Sequence, residues 1–342
     1  MTGRMIRTLC IEGNGLASVH AIGALDFMYR NGTLCNLRHI YCYSFGALIA
    51  SSFCVHGSFT NLLTDLQTRS LWWKCLRLQA LVKIAVLCPR FRQCNNEILR
   101  SALSEVLPDN VRTLGDLQKR SGICVHVLVC CSSSLTTRVF SSSKHADYQL
   151  LDILIATCAL PFIFEPVNIG GESYIDGGVY SGMSHVRTHG KGCETLLVGR
   201  SPTVRFQYGL NCFEQLWSTL LAVERSKMAK RSRGIHMLSM PQCYSVMLHA
   251  QTSRLERMYY VGASIACAEL VLHKIAGIRT ARMRCCGMTA YAALIELPAS
   301  KEHTEIIGTL RAGHITVLHK EQSDITWQRP FCHCGLTSVV WA

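Results

Sequence analysis

The sequence predicts an α/β domain in three layers, with helices on both faces of a mostly parallel sheet. Two observations carry this. Short apolar strand patterns alternate with helical patterns from the first residues, joined by tight turns. Two of those turns carry glycine where a strand runs into a helix. That is the carboxyl end of a strand, where open α/β sheets place their sites.

Taken in order, residues 5–11 (MIRTLCI) read as a strand, followed by the glycine turn EGNG at 12–15. LASVHAIGALDFMYRNG follows at helical spacing, with Asn31-Gly32 as its stop. LRHIYCY (37–43) is a second strand, and FGALIASSFCVHG a second helix ending at Gly57. Residues 71–91 mix tryptophan, leucine and basic residues, and read as an ordinary packed helix or an interfacial lid. NNEILRSALSEVL is a helix, 123–133 and 136–142 are successive strands, and 148–160 is helical up to Pro161. Strands are expected at 194–200 and 234–241, and helices at about 213–230 and at 254–275. From about 276 the pattern weakens, and 276–342 is expected to be a C-terminal extension without assigned elements.

The 342 residues are 49% hydrophobic and 17% charged, enough apolar content for a sizeable core. A formal net charge of +13 favours anionic partners: phospholipid headgroups or nucleic acid. The basic run KMAKRSRG (227–234) reads as a solvated loop or as a contact to an anionic surface. With no recognised nucleic-acid module, nucleic acid is not expected as the partner. The 19 cysteines include no Cys-x-x-Cys pair, and many lie in apolar runs. They read as small buried hydrophobes in a cytoplasmic or other reducing compartment. Cys332-His333-Cys334 lacks a second ligand pair at finger spacing, so no metal is assigned to it. Neither a cleaved signal peptide nor a transmembrane span is expected.

Three short stretches carry chemistry. In CYSFG (42–46), Ser44 stands at the junction of strand and helix. A serine is a poor nucleophile unless it is exposed, held and next to a base, and a tight turn does the holding. Small residues two before and two after let strand and helix cross closely. Gly46 satisfies one side, and Cys42 makes the other tighter. In EGNGLAS, the amides of Gly13, Asn14 and Gly15 open a helix and form an anion cradle. It serves as an oxyanion hole, as a phosphate site, or simply as a turn that needs glycine. In YIDGGVYSG, Asp176 ends a short strand before Gly177 and Gly178, as a turn residue or as a base that substrate approaches closely.

Taken together with Ala156-Thr157-Cys158-Ala159-Leu160-Pro161, Phe164 and Pro166, these stretches resemble the patatin-like phospholipase family over roughly residues 6–275. The resemblance implies a Ser–Asp dyad in which Ser44 attacks an acyl ester and Asp176 takes its proton. Gly13, Asn14 and Gly15 would supply oxyanion amides, with Cys42, Gly46, Gly177 and Gly178 in support. It implies a lipid acyl hydrolase acting on phospholipid or other acyl lipid at a membrane or droplet surface, without metal or organic cofactor. A dyad at neutral pH needs partial burial of the aspartate or strong oxyanion stabilisation. The family's turn usually reads Gly-Gly-Gly-x-Arg-Gly. Here Asn14 holds the second place, where left-handed geometry suits it, and Ala17 replaces the arginine. Met183-Ser184-His185 stands where the family often has Asn-x-Pro. Two alternatives stay open. One is a catalytically weakened lipid- or partner-binding relative. The other is a triad using His145, His185 or His189.

Overall fold

A computed structural model describes residues 6–67, 95–161, 163–179, 194–200, 235–240, 252–270, 278–285, 288–295, 316–319 and 338–341. The expected elements at 71–91 and 213–230, the basic run at 227–234, His185, His189 and the 332–334 triplet lie outside these residues.

The main sheet is built on β1 (Ile6–Ile11), which pairs in parallel with β2 (His39–Cys42) on one side and β7 (Glu194–Arg200) on the other. Parallel pairing extends outward to β3 (Cys124–Cys131) and β8 (Ile235–Met240). β4 (Thr137–Ser141), β5 (Val167–Ile169) and β6 (Glu172–Asp176) join antiparallel beyond β3. Strand residues alternate between two apolar layers. Leu9, Ile11, Ile40, Cys42, Val125, Val127 and Val129 face the main core, while Cys10, Tyr41, Tyr43, Leu128 and Leu197 face a second cluster. A sheet covered on both faces needs strands that are apolar throughout, which is why these segments read as continuous runs.

The predicted helices fall where the sequence places them: α1 (Val19–Arg30), entered through a 3-10 turn at Gly15–Ser18, and α2 (Phe45–His56). α2 stops at Gly57, whose left-handed φ of 68° lets its N–H reach the Phe53 carbonyl. α3 (Thr60–Gln67) and α5 (Leu114–Ser121) were not anticipated. The start of α5 is nevertheless written in the chain: Thr113 and Asp116 form a reciprocal capping box. Between them α4 (Glu97–Leu103) ends in a 3-10 turn at Ser104–Val106. α6 (Leu150–Cys158) and α7 (Thr252–Leu270) complete the set among the described residues.

α7 crosses α1 with the two backbones in contact. A Cβ on Gly23 would lie 1.9 Å from the Tyr259 carbonyl oxygen, and one on Gly262 would lie 1.8 Å from that of His20. Each helix supplies a glycine where the other's backbone arrives. Beside the crossing, Tyr259 donates its hydroxyl to the buried Asp26 carboxylate, which also pairs with Arg30 at 2.9 Å.

Strand register decides what meets at the sheet's carboxyl end. Residues 126–127 of β3 pair with β2 and with β4, so β2 and β4 lie on opposite edges of β3. Residues 129–130 pair with β4 and with β6, so β6 shares the edge that β2 occupies. β2 and β6 therefore lie end to end along β3, their carboxyl ends facing: Cys42 opposite Val127, Asp176 opposite Val129.

Past residue 276, where the sequence reading assigns no element, the structure forms a second sheet. β9 (Ile278–Cys285), β10 (Met288–Ile295), β11 (Thr316–His319) and β12 (Ser338–Trp341) form a four-stranded sheet in the order β11-β10-β9-β12. Arg279, Arg282 and Arg284 interrupt the apolar pattern of β9, which hides it from a periodicity reading.

Candidate active site

β2 ends at Cys42 and α2 starts at Phe45, so the chain turns within Tyr43 and Ser44. Ser44 adopts φ 50° and ψ −135°. A residue with a side chain holds such a conformation at a cost of about 1–3 kcal/mol, and only where its surroundings enforce it. The enforcing bonds are specific. The Ser44 N–H donates to Thr157 Oγ1 at 2.9 Å, and the Thr157 hydroxyl donates to the Leu128 carbonyl at 2.7 Å. The Gly46 N–H reaches Tyr43 O, and the Ala47 N–H reaches Ser44 O, both at 2.9 Å. A Cβ on Gly46 would fall 2.3 Å from Ile11 O, so the start of α2 rests directly on the end of β1. Cys42 is wholly buried in the main core, its Sγ 3.7 Å from the His126 carbonyl. Burial, with the neighbouring thiols of Cys54, Cys10 and Cys158, pushes its own thiol well up. It is packing, not a reactive group.

The glycine turn passes over the serine. A Cβ on Gly13 would lie 2.4 Å from Ser44 Cβ and 3.0 Å from Ser44 Oγ. The left-handed residue of this turn is Gly15, at φ 51°, and not Asn14 as its side chain suggests. The turn is closed from within: the Asn14 N–H donates to Ser18 Oγ at 2.8 Å, and the Ala17 N–H donates to Asn14 O at 3.1 Å. Ser18 and Ala17 are both buried. Behind them His20 Nδ1 bonds Ala17 O at 2.8 Å, and burial lowers this imidazole to about 4, so it is neutral.

Asp176 is 1% exposed. Its N–H donates to Ala159 O at 2.9 Å, and its Oδ1 accepts the Gly178 N–H at 2.7 Å. Both glycines after it are spatial necessities: a Cβ on Gly177 would meet Leu128 O at 2.1 Å, and one on Gly178 would meet the Tyr43 ring at 2.9 Å. The Asp-Gly-Gly turn thus packs on the residue that precedes Ser44. Its charge is felt nearby. Burial and then Asp176 push Cys158 well up; burial, Cys131 and Asp176 push Cys130 up to about 11.

His145 belongs elsewhere. Its Nδ1 accepts the Ser141 N–H at 3.1 Å, and Ser141 pairs with His126 near the amino end of β3. At that same end stands Cys124, whose thiol burial raises but hydrogen bonds with His126, Ser141, Ser142 and Ser143 bring down to about 5.

Over residues 9–184, just over half of the chain, the sequence matches the family described as Patatin-like phospholipase. The chain belongs to the patatin-like phospholipase family. Among solved structures it is similar to VipD from Legionella pneumophila, at 12% identity, covering 90% of this chain and 74% of that one, with a TM-score of 0.43. It is also similar to ExoU in its complex with SpcU from Pseudomonas aeruginosa, at 15% identity, covering 67% of this chain and 52% of that one, with a TM-score of 0.39. A search of curated protein sequences finds no match.

For this patatin-like chain the structure adds two residues that the motif reading quoted without a role. Ser18 closes the turn in which Ala17 replaces the usual arginine. Thr157 ties the elbow to β3. Thr157→Val removes the acceptor of the Ser44 amide and the donor to Leu128. It is expected to destabilise the fold by about 1–3 kcal/mol and to slow labelling of Ser44 by a fluorophosphonate, whereas Thr157→Ser keeps both. Wild-type labelling in a folded Thr157→Val protein would remove Thr157 from the elbow's support.

Proposed function

We propose that the chain is a serine lipid acyl hydrolase that cleaves carboxylic esters of phospholipids or related lipids. The observation that carries this is the packing of the Gly13 turn on Ser44, with the Asp176-Gly177-Gly178 turn packed on the adjoining Tyr43. Ser44 Oγ attacks the ester carbonyl while its proton passes to the Asp176 carboxylate. The tetrahedral oxyanion is held by amides of the Gly13–Gly15 turn and the alcohol leaves with the proton. Water activated by Asp176 then releases the fatty acid from Ser44. Burial of Asp176 fits a dyad, as does the Gly178 amide that fixes its Oδ1. The net charge of +13 suits an anionic membrane or droplet surface. The contact between α1 and α7 supports a domain running from 6 to 275, beyond the matched segment. Cys10, Cys42 and Cys54 are buried thiols outside any disulfide, which suits a reducing compartment.

One observation favours the second reading, a weakened binding relative: the Asn14 amide is committed to Ser18 Oγ rather than pointing to a ligand. One experiment separates the two. Fatty-acid release from mixed phospholipid vesicles, and labelling by a fluorophosphonate, are compared for wild type, Ser44→Ala and Asp176→Asn. Turnover that falls by roughly 10³-fold or more in both variants is expected for the hydrolase. A folded wild type that neither turns over nor labels would leave the binding reading.

A further inference from the structure

We propose that His39, Cys124 and His126 form a site for one divalent transition-metal ion, zinc foremost, at the amino ends of β2 and β3. The β2–β3 register sets His39 opposite Cys124 and Tyr41 opposite His126. Alternation along each strand turns all four to one face of the sheet. One ligand atom from each of His39, Cys124 and His126 lies within 4.8 Å of the other two.

The spacing is that of ligands. His39 Nδ1 and His126 Nε2 are 3.3 Å apart. Tetrahedral zinc with bonds to nitrogen of about 2.0–2.1 Å sets two imidazole nitrogens roughly 3.3–3.4 Å apart. A hydrogen bond between the two imidazoles has a similar length; what the metal reading adds is that the Cys124 thiol lies within ligand reach of both rings.

The surroundings also fit. The Tyr41 ring stacks on His126 at 4.2 Å with planes 8° apart, which fixes the imidazole orientation. The hydroxyls of Ser141 and Ser142 lie 3.5 Å from Cys124 Sγ, the Ser142 hydroxyl donating to it. Such outer partners orient metal ligands and tune them. Two imidazoles and a thiolate select zinc or copper over magnesium or calcium, and three protein ligands leave a fourth position for water.

The site is separate from Ser44. His39 and Ser44 are five residues apart along β2 and its turn, roughly 17 Å of extended chain. The ion would clip β2 to β3 rather than touch the acyl chemistry.

The test uses the full chain, stripped of metal under reducing conditions and titrated with Co²⁺, then Zn²⁺. One equivalent of Co²⁺ is expected to give tetrahedral visible absorption and a thiolate charge-transfer band, both displaced by Zn²⁺. Cys124→Ser and His39→Gln should weaken binding by at least about 100-fold while Ser44 labelling persists. A Cys332→Ser/Cys334→Ser variant should keep the spectrum. Stripped wild type that shows no tetrahedral cobalt signal would leave only a hydrogen-bonded imidazole pair, and needs no variant to decide. A spectrum unchanged in Cys124→Ser would equally overturn the site.

Discussion

Gly262→Ala is expected to lower the melting temperature more than any other single methyl addition in the described core. The new Cβ would sit 1.8 Å from the His20 carbonyl oxygen, and backbone does not rotate away as a side-chain tip does. α1 and α7 would have to separate. Residues 19–28 of α1 are buried throughout, so separation exposes a helix with no polar face to offer water. Overpacking of this kind costs about 3 kcal/mol, or roughly 6–12 °C. Gly23→Ala meets Tyr259 O at 1.9 Å from the other side and should behave alike. Thermal unfolding followed by circular dichroism reads both. A shift of under about 2 °C in each would show that the helices do not cross in contact.

Gly13→Ala is expected to slow the proposed reaction at Ser44 by on the order of 100-fold while sparing the fold. Its Cβ would press on Ser44 Cβ at 2.4 Å and stand 3.0 Å from Oγ. Ser44 is fixed from below by Thr157, so the turn has to lift instead. Lifting moves the amides that would face an oxyanion, and a displacement near 1 Å costs on the order of 100-fold in rate. Fluorophosphonate labelling of Ser44, measured beside the far-ultraviolet spectrum, separates a dead site from an unfolded one. Wild-type labelling in a folded Gly13→Ala protein would detach the glycine turn from the reactivity of Ser44.

The packing of the candidate site was legible in part because its glycines stand where there is no room for a side chain. Gly13, Gly46, Gly177 and Gly178 each stand where a Cβ would strike a neighbour within 3 Å. A motif that demands glycine can therefore be read without a fold. The supporting residues were less legible. Thr157 lies 113 positions from Ser44, and its hydroxyl has meaning only once α6 lies beside the elbow. Ser18 looks like a common helix-entry residue until its Oγ is found on the Asn14 amide. Asn14 misled because its type tolerates left-handed geometry, yet Gly15, with no Cβ at all, takes that conformation. His39 and His126 are 87 positions apart, so no ligand spacing in the chain announces them. The sheet after 276 escapes a periodicity reading in part because one of its two central strands, β9, carries arginines through the interior of the run.

The pairing of β1 also sets an order of events during synthesis. β1 leaves the ribosome long before one of its two partners, β7, which begins at Glu194. At bacterial to eukaryotic translation speeds that partner emerges roughly 10–40 s later. Throughout that interval the IRTLCI strand keeps one edge unpaired, with five of its six residues destined for burial. The nascent chain therefore carries an adhesive edge that the finished protein no longer shows.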